Sequence, residues 1–405
     1  MKIKIPIALL FFFCTGLFAQ VEQHDVTVTN VMVPVRVFDN DTFIDNLKIE
    51  DFEIYEDGIP QKIEALYLAS KGHIAREEEY REFSPKTSRS FYLIFQLLDY
   101  HPKLEQVIDH LFENVIVPGD SLSIQTPLKN YSLTSQALET KSKKVIAGEL
   151  KKILRKDIQI GSTEYNSLVR DLSRLVRAIQ SSAGFGGRAD PMQGDQTDSQ
   201  FGIEFLLPRY RDSLSKLDTL RGVDEKRFLG FASQLRNRGG QKNVFFFYQR
   251  EFRPEIAPAV LNQMESAFQD RPEILGAIQE LYMFYRRDVK MDIERLTQAF
   301  SDSGMTFNFM FMSKDPKYIS GIRMKEQSED VFAILSDAAQ ATGGVVDTSQ
   351  APDFAFKEAV KATDSYYILY YSPQNYRSDQ TYKTIEVKLK GKEYKLKYRT
   401  GYYAR

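Results

Sequence analysis

FYLIFQLL, residues 91–98, is the stretch that decides the fold, because only Gln96 interrupts an otherwise apolar run. A run of this kind is typical of a central parallel strand that is buried on both faces. Residues 243–248 (NVFFFY) and 305–312 (MTFNFMFM) have the same character, and apolar residues at helical spacing lie between the three runs. This alternation predicts an α/β domain with a doubly wound parallel sheet.

The α/β domain is predicted to span residues 87–362. Within it, residues 181–300 supply more helix than a minimal sheet of this kind needs, and we interpret them as a helical insertion. The insertion opens with residues 181–200, which are rich in Gly, Ser, Asp and Gln and show no hydrophobic periodicity. That composition predicts a flexible loop.

Short strand-like segments occupy both ends of the chain, and we predict that these two arms are residues 20–86 and residues 363–405. Valines alternate in the N-terminal arm before the turn sequence that starts at Asp39, with a slip of phase at Asn30 that suggests a β-bulge. Each arm holds roughly three strands, which are too few to bury an apolar face alone. We therefore predict a β-sandwich to which both arms contribute.

The last two strand-like segments, residues 382–390 and 393–399, are predicted to form a hairpin across a turn at Gly391. Their apolar residues then share one face. The lysines of the opposite face are expected to point into water. These lysines are Lys388, Lys390, Lys395 and Lys397.

Residues 1–19 predict a cleaved signal peptide, because two lysines precede an uncharged apolar run that is followed at once by polar residues. The run is shorter than the roughly 20 residues of a spanning helix, although a membrane anchor is the alternative. We therefore expect an exported protein, periplasmic or secreted, with no membrane span after signal cleavage. Cleavage would also remove Cys14, the only cysteine, so the mature chain could form no disulfide.

The composition excludes some partners. The chain of 405 residues has 54 basic and 55 acidic residues and a net charge of −1. Such a balance gives no global field for nucleic acid or an anionic membrane. Any partner must be recognised locally, and the oligomeric state cannot be read from this composition.

Several short motifs recur in an order that is similar to a known family. Chain positions 33–39 and 47–61 read VPVRVFD and LKIEDFEIYEDGIPQ, and ATGG, YYILYYSP and RTGY follow from residues 341, 366 and 399. Together they resemble bacterial exported proteins with a von Willebrand factor A (VWFA)-related domain. The similarity runs from Val26 to Tyr403, although residues 181–300 carry little of it. The resemblance implies a Rossmann-like A domain inserted between strand arms.

Domains of this type often hold Mg²⁺ through an Asp-x-Ser-x-Ser loop, a Thr on a second loop and an Asp on a third, since a hard cation prefers oxygen ligands. In this chain the first Asp position is Gln96, and two leucines follow where serines are expected. A frame shifted to Asp99 places His101 and Lys103 at the serine positions. Neither frame supplies the ligands of the first loop.

The second loop retains Thr163, which could instead cap the helix that follows it, and the third loop offers Gln249 and Arg250. The resemblance therefore implies a degenerate metal-ion-dependent adhesion site, and we expect no metal or other cofactor. The carboxyl ends of the strands are still where open α/β sheets bind ligands. The candidate partner-contact residues are Gln96, Asp99, Tyr100, His101, Thr163, Gln249 and Arg250.

Enzyme motifs are weak in this sequence. Residues 119–122 (GDSL) match a serine esterase motif, but all four histidines precede Ser121, which leads into a predicted strand. No His-Glu-x-x-His motif is present, and a carboxylate pair cannot be judged without its separation. We expect an exported non-enzymatic protein-binding or scaffold protein with a protein partner in the cell envelope or outside the cell. A hydrolase with an unrecognised carboxylate site and a metal-dependent adhesin are the alternatives.

Overall fold

The computed structural model describes residues 29–133, 136, 140–184, 202–220, 223–286, 291–312, 314–316, 318, 322–349, 351–361, 363–374, 376–391 and 393–405. The predicted signal peptide and most of the predicted flexible loop, residues 185–200, lie outside these described residues. Within them the protein is mixed α/β, which confirms the sequence-based prediction at that level. No helix of the described part is both long and apolar enough to cross a bilayer.

The strands in chain order are β1 (Val31–Asp39), β2 (Thr42–Phe43), β3 (Phe52–Glu56), β4 (Ile59–Gln61), β5 (Ile63–Ser70), β6 (His73–Glu79), β7 (Arg89–Gln96), β8 (Ser121–Gln125), β9 (Asn130–Leu133), β10 (Gln241–Gln249), β11 (Phe252–Ile256), β12 (Met305–Met312), β13 (Ile322–Glu326), β14 (Val346–Asp347), β15 (Ser365–Tyr371), β16 (Tyr382–Leu389), β17 (Lys395–Tyr398) and β18 (Gly401–Tyr403).

The helices in chain order are α1 (Leu104–His110), α2 (Lys143–Gly161), α3 (Thr163–Ser182), α4 (Ile203–Thr219), α5 (Glu225–Arg236), α6 (Pro258–Ala267), α7 (Pro272–Tyr285), α8 (Ile293–Asp302), α9 (Glu329–Ala341) and α10 (Pro352–Lys361). A 3₁₀ turn covers Ile49–Asp51, and a π-helical turn, Leu111–Val115, continues α1.

The central sheet has the strand order β14-β12-β10-β7-β8-β9. The first five strands are parallel, and β9 pairs antiparallel to β8 at one edge. Successive side chains of a strand point to opposite faces, so Phe245 and Phe247 lie on one face while Phe246 and Tyr248 lie on the other. The first face packs against α1, α2 and α10, and the second packs against α5, α8 and α9. Both faces are covered, which is why these strands are apolar throughout.

Two antiparallel sheets combine strands from both ends of the chain. One has the order β17-β1-β15-β5-β6 with β2 attached to β1, and the other has the order β18-β16-β3-β4. Apolar side chains of both sheets belong to one buried cluster, to which Val35 and Tyr367 contribute from the first sheet and Ile54 and Val387 from the second. The N-terminal and C-terminal strands therefore share a core.

The predicted hairpin at the C-terminus is wrong. Strand β16 pairs with β3 and β18, whereas β17 pairs with β1 in the other sheet. The chain turns at Gly391, whose φ of 66° suits glycine, and then leaves the sheet it came from. The alternation of apolar and polar residues predicts which side chains share a face of these strands, but it does not predict which strands pair with one another. As one result Lys397, expected in water, is half-buried beside β1.

Only part of the predicted helical insertion, namely α4, α6 and α7, packs on a two-stranded ribbon, whereas β10, α5 and α8 of the same range belong to the central sheet and its helical layer. Strands β11 and β13 pair antiparallel, and one apolar cluster joins them to α3, α4, α6 and α7. The hydroxyl of Tyr165 donates to the carbonyl of Phe252 at 2.9 Å, and that of Tyr210 donates to the carbonyl of Pro254 at 2.7 Å. Leu98, just beyond the end of β7, belongs to the same cluster. This part of the insertion therefore lies next to the carboxyl ends of the central strands.

Candidate functional site

The segments that leave the carboxyl ends of β7, β10, β12 and β14 are the candidate site. We call them the carboxyl-edge loops, and among the described residues they are 97–103, 250–251, 314–318 without 317, and 348–351 without 350. Because these four strands are parallel, the loops meet at one edge of the sheet. Side-chain contacts join the loop after β7 to the end of β10, to the loop after β12 and to Asp353 on α10.

Gln249 ties the loop after β10 to the loop after β7. Its side chain is 6% exposed, and its Oε1 accepts hydrogen bonds from the backbone N–H groups of Leu98 and Asp99, both at 2.9 Å. An acceptor that serves two backbone donors holds a turn that would otherwise have unsatisfied amides. Gln249 thus has a positioning role at the place where the resemblance expects a metal-ligating aspartate.

Lys314 ties the loop after β12 to the same turn. Its Nζ lies 2.5 Å from Oδ2 of Asp99, whose carboxylate is about half exposed. The sequence reasoning missed Lys314. The signal was present, because this lysine is the second residue after the buried strand MTFNFMFM and so must stand at the same sheet edge as Asp99.

Tyr100 is held by a charged pair from neighbouring helices. Its hydroxyl donates to Oε1 of Glu105 at 3.1 Å, while the guanidinium of Arg155 lies 4.9 Å from its ring centre and 2.8 Å from Glu105. Burial and the Glu105 carboxylate raise the pKa of Tyr100 to about 12. Tyr100 is therefore a protonated hydrogen-bond donor at neutral pH and not a base.

His101 closes the turn that precedes α1. Its Nδ1 accepts from the backbone N–H of Lys103 at 3.2 Å, and the Lys103 ammonium lies 4.0 Å from the carboxylate of Asp353 at the start of α10. Burial and the charge of Lys103 lower the pKa of His101. A neutral ring with Nδ1 engaged in this way leaves Nε2 to carry the proton.

Arg250 and Gln96 lie at the same sheet edge, but Arg250 makes its contacts with Glu326 and Phe311 and not with Gln96. The Arg250 Nε is 3.1 Å from Oε1 of Glu326 on β13, and its guanidinium covers the Phe311 ring at 5.6 Å. Gln96 ends β7 and is partly exposed. Arg250 therefore fastens the ribbon to the sheet.

Thr163 is separate from the other candidates. Its side chain is exposed, and its hydroxyl donates to the carbonyl of Gln159 at 2.9 Å. The helix α3 begins at Thr163, with Ser162 at the N-cap position, so the alternative role of Thr163 as an N-cap is wrong. The described contacts of Thr163 do not bring it to the carboxyl-edge loops.

These residues do not fit a magnesium ion. The Gln249 oxygen already accepts two backbone donors, the Asp99 carboxylate holds the Lys314 ammonium, and the Thr163 hydroxyl points to a helix carbonyl. A fixed ammonium also repels a second cation at short range. Among the described residues, no group of three or more His, Cys, Asp or Glu side chains is placed to hold a metal. That the protein works without a cofactor stays a prediction.

Two exposed aromatic residues accompany this closed network, and the sequence reasoning did not select them. Tyr318, in the loop after β12, is 94% exposed, and Phe354, in the first turn of α10 after the β14 loop, is 57% exposed. Aromatic side chains are enriched in protein-recognition surfaces, and open α/β sheets in general bind ligands at this edge. At this edge, therefore, paired charges such as Asp99 with Lys314 lie beside the exposed aromatic rings of Tyr318 and Phe354.

Comparisons with protein-family models, with curated proteins and with solved structures found no match. The similarity to VWFA-related exported proteins therefore rests on the sequence motifs.

Proposed function

We propose that this chain is an exported, non-enzymatic protein-binding or scaffold protein that recognises a protein partner through its carboxyl-edge loops without a metal ion. We further propose that the domain carrying these loops is VWFA-like and is inserted into a β-sandwich built by the two chain ends. The contact that carries the proposal is the pair of Lys314 and Asp99, in which a side-chain ammonium takes the role that a bound cation plays in metal-dependent relatives of the fold.

A built-in ammonium changes what the edge can recognise. In a metal-dependent adhesion site the ion keeps one coordination position for an acidic group of the partner. Here the positive charge of Lys314 is already matched by Asp99, and Gln249 holds the turn without an ion. Recognition then depends on the shape and the apolar contacts of the surface, for which Tyr318 and Phe354 are suitable anchors.

The strand connections support the proposed insertion. The chain leaves the antiparallel sheets after β6, forms the central sheet with its two helical layers, and returns to the antiparallel sheets at β15. Strand β15 pairs with both β1 and β5, so the returning segment completes a sheet that the N-terminal arm begins. An insertion of this kind keeps the two arms close and leaves the carboxyl-edge loops free of them.

The test is retention of partners from a native cell-envelope extract by the immobilised mature chain. We expect the same protein to be retained in EDTA and in Mg²⁺, because no ion bridges the contact. The double variant Tyr318→Ala/Phe354→Ala should reduce retention by about tenfold or more, since aromatic anchors dominate interface energies. The control is Ile59→Ala. It also removes an exposed apolar side chain, but one on β4 of an antiparallel sheet and outside the carboxyl-edge loops.

Other results would favour the alternatives. Loss of the retained protein in EDTA would indicate a metal-dependent adhesin. Turnover of an ester or glycoside panel by the same preparation would indicate a hydrolase. Equal retention by the double variant and the wild type would reject the proposed surface.

A further inference from the structure

A cleft of about 310 Å³ lies where the first antiparallel sheet meets the α/β part of the molecule. Strands β1 and β17 with the turn before β2 form one wall, and α10 with the loop before β14 forms the other. The residues that matter for its chemistry are Phe38, Asp41, Glu358, Lys361, Lys395 and Lys397. None of them belongs to the carboxyl-edge loops.

More basic than acidic side chains line the cleft, since three lysines face two carboxylates. Lys361, Lys395 and Lys397 line it, and none of the three forms an ion pair or a side-chain hydrogen bond among the described residues. The acidic residues Asp41 and Glu358 also line it, without pairing to these lysines within the described part of the chain. With both carboxylates counted, the three lysines leave the lining with a formal net charge of +1, which gives a weakly positive local potential.

A fourth cation stands directly behind the cleft. Arg36 on β1 is the register partner of Lys397 on β17, so the two positive side chains are neighbours on the same face of the sheet. Arg36 is 2% exposed, its Nε has no hydrogen-bond partner among the described residues, and its Nη2 donates to the hydroxyl of Thr306 at 3.2 Å. Like charges that face each other across a strand pair destabilise the sheet, and a buried guanidinium without a carboxylate costs more.

The cleft also has an apolar wall. The Lys397 ammonium lies 5.6 Å from the centre of the Phe38 ring, and the Phe43 ring meets Phe38 edge to face at 6.0 Å between centres. A cation–π contact weakly supports an ammonium, but it does not neutralise the charge. A ligand in this cleft would therefore meet cations on one side and aromatic rings on the other.

We propose that the cleft binds a small organic ligand that carries two or more negative oxyanion charges, as phosphate or carboxylate groups. Its anionic groups contact Lys397 and Lys395, with Lys361 facing them from α10. Its carbon skeleton lies along Phe38 and Phe43. A bound anion offsets the repulsion between Arg36 and Lys397 and joins the antiparallel sheet to the α/β part.

The state of Lys397 agrees with this geometry. Burial, followed by the charges of Lys395 and Arg36, lowers the pKa of Lys397 to about 8, while Asp41 acts in the opposite direction. At neutral pH the ammonium is still mostly protonated and is available to an anion. Binding should weaken as the pH rises through that pKa.

The experiment is calorimetric titration of the mature chain with pyrophosphate and, separately, with citrate, in a buffer free of other multivalent anions. We expect at least one probe to bind with a Kd of about 1 mM or tighter at roughly 0.15 M salt. The two arms distinguish phosphate from carboxylate chemistry. Lys397→Gln and Lys395→Gln should each weaken the binding by about tenfold or more.

The matched control is Lys390→Gln, because Lys390 is an exposed lysine at the end of β16 and does not line the cleft. Replacing Lys397 removes a repulsive charge, so this variant should fold, and its circular dichroism spectrum would verify that. Failure of both probes to bind overturns the proposal. So does equal weakening in Lys390→Gln and Lys397→Gln, which would mean diffuse counterion attraction.

Discussion

The carboxyl-edge loops and the cleft beside β1 and β17 differ in whether their charged side chains have partners of opposite charge. At the loops several charged groups have an internal partner, as Asp99 has Lys314 and Arg250 has Glu326. At the cleft Lys397 and the neighbouring Arg36 have no carboxylate partner in the described residues. A surface whose charged side chains are paired with one another is suited to a protein partner that binds without a bridging ion or charged ligand. A region that leaves cations unpaired is suited to an anion.

The largest expected contrast is between two buried arginines. Arg253, which follows the β10 loop on β11, donates to Glu255 at 2.6 Å, whereas Arg36 has no such partner. Arg253→Met strands a buried carboxylate and should lower the free energy of unfolding by about 3 kcal/mol. Arg36→Met removes an unpaired buried charge and should raise it by about 1 kcal/mol. Chemical denaturation measures both, and equal losses would show that the missing carboxylate partner of Arg36 has no energetic consequence.

Gln249→Ala tests how much of the loop network depends on a single acceptor. The variant leaves the backbone N–H groups of Leu98 and Asp99 without their partner, so we expect a loss of about 2 kcal/mol in the free energy of unfolding. Gln96→Ala, at the end of the adjacent strand, is the control and should cost less than about 0.5 kcal/mol. Similar losses in both variants would show that Gln249 has no special positioning role.

Lys397→Gln tests the unpaired charge through pH. The folded pKa of about 8 lies below the ordinary lysine value of 10.5, so folding releases a proton in this interval and the contribution of Lys397 to stability rises with pH. Below that interval the buried ammonium is a cost. The variant should therefore be more stable than the wild type by about 1 kcal/mol at neutral pH, allowing for partial exposure.

The stability advantage of Lys397→Gln should become smaller as the pH is raised toward 10. The contributions of the other titrating groups cancel when the free energies of unfolding of the variant and the wild type are subtracted. The charged groups that face Lys397 are Arg36, Lys395, Lys361, Asp41 and Glu358, and they are identical in both. Denaturation curves at several pH values measure the difference. A difference that does not depend on pH would contradict an unpaired, titrating lysine.

A smaller effect is expected when the pair at the loops is broken. The carboxylate of Asp99 is about half exposed, so Lys314→Gln should lower the free energy of unfolding by less than about 1 kcal/mol. In roughly 1 M salt, where such pairs are screened, the difference from wild type should vanish. A salt-independent loss would mean that Lys314 contributes by packing.

The central sheet was predictable from sequence because both of its faces are buried. Continuous apolar runs need no partner to be recognised, and residues 305–312 coincide with β12. Such runs can therefore be recognised from a few neighbouring residues. The glycine of the ATGG motif, in contrast, is required by a tertiary contact, since a Cβ on Gly344 would lie 1.8 Å from the carbonyl oxygen of Phe307 on β12.

The polar and composite parts were not predictable in the same way. Strand β6 (HIAREEE) is charged and largely exposed, so it gave no hydrophobic pattern, and β11 contains Pro254, which argues against a central strand. The candidate site was predicted only in part. The sheet edge carries Asp99, Tyr100, His101, Gln249 and Arg250 as expected. The position of Lys314 at this edge was also predictable, but its ion pair with Asp99 joins residues more than 200 positions apart in the chain and was not.

The most direct test of the account is the melting temperature of the mature chain in EDTA and in about 5 mM MgCl₂. A ligand that binds the folded state raises the melting temperature, so an ion site at the carboxyl-edge loops would be visible as a shift. With Lys314 on Asp99 and Gln249 holding the turn, we expect equal melting temperatures within about 1 °C. A rise of several degrees in magnesium that disappears in Asp99→Ala would contradict it.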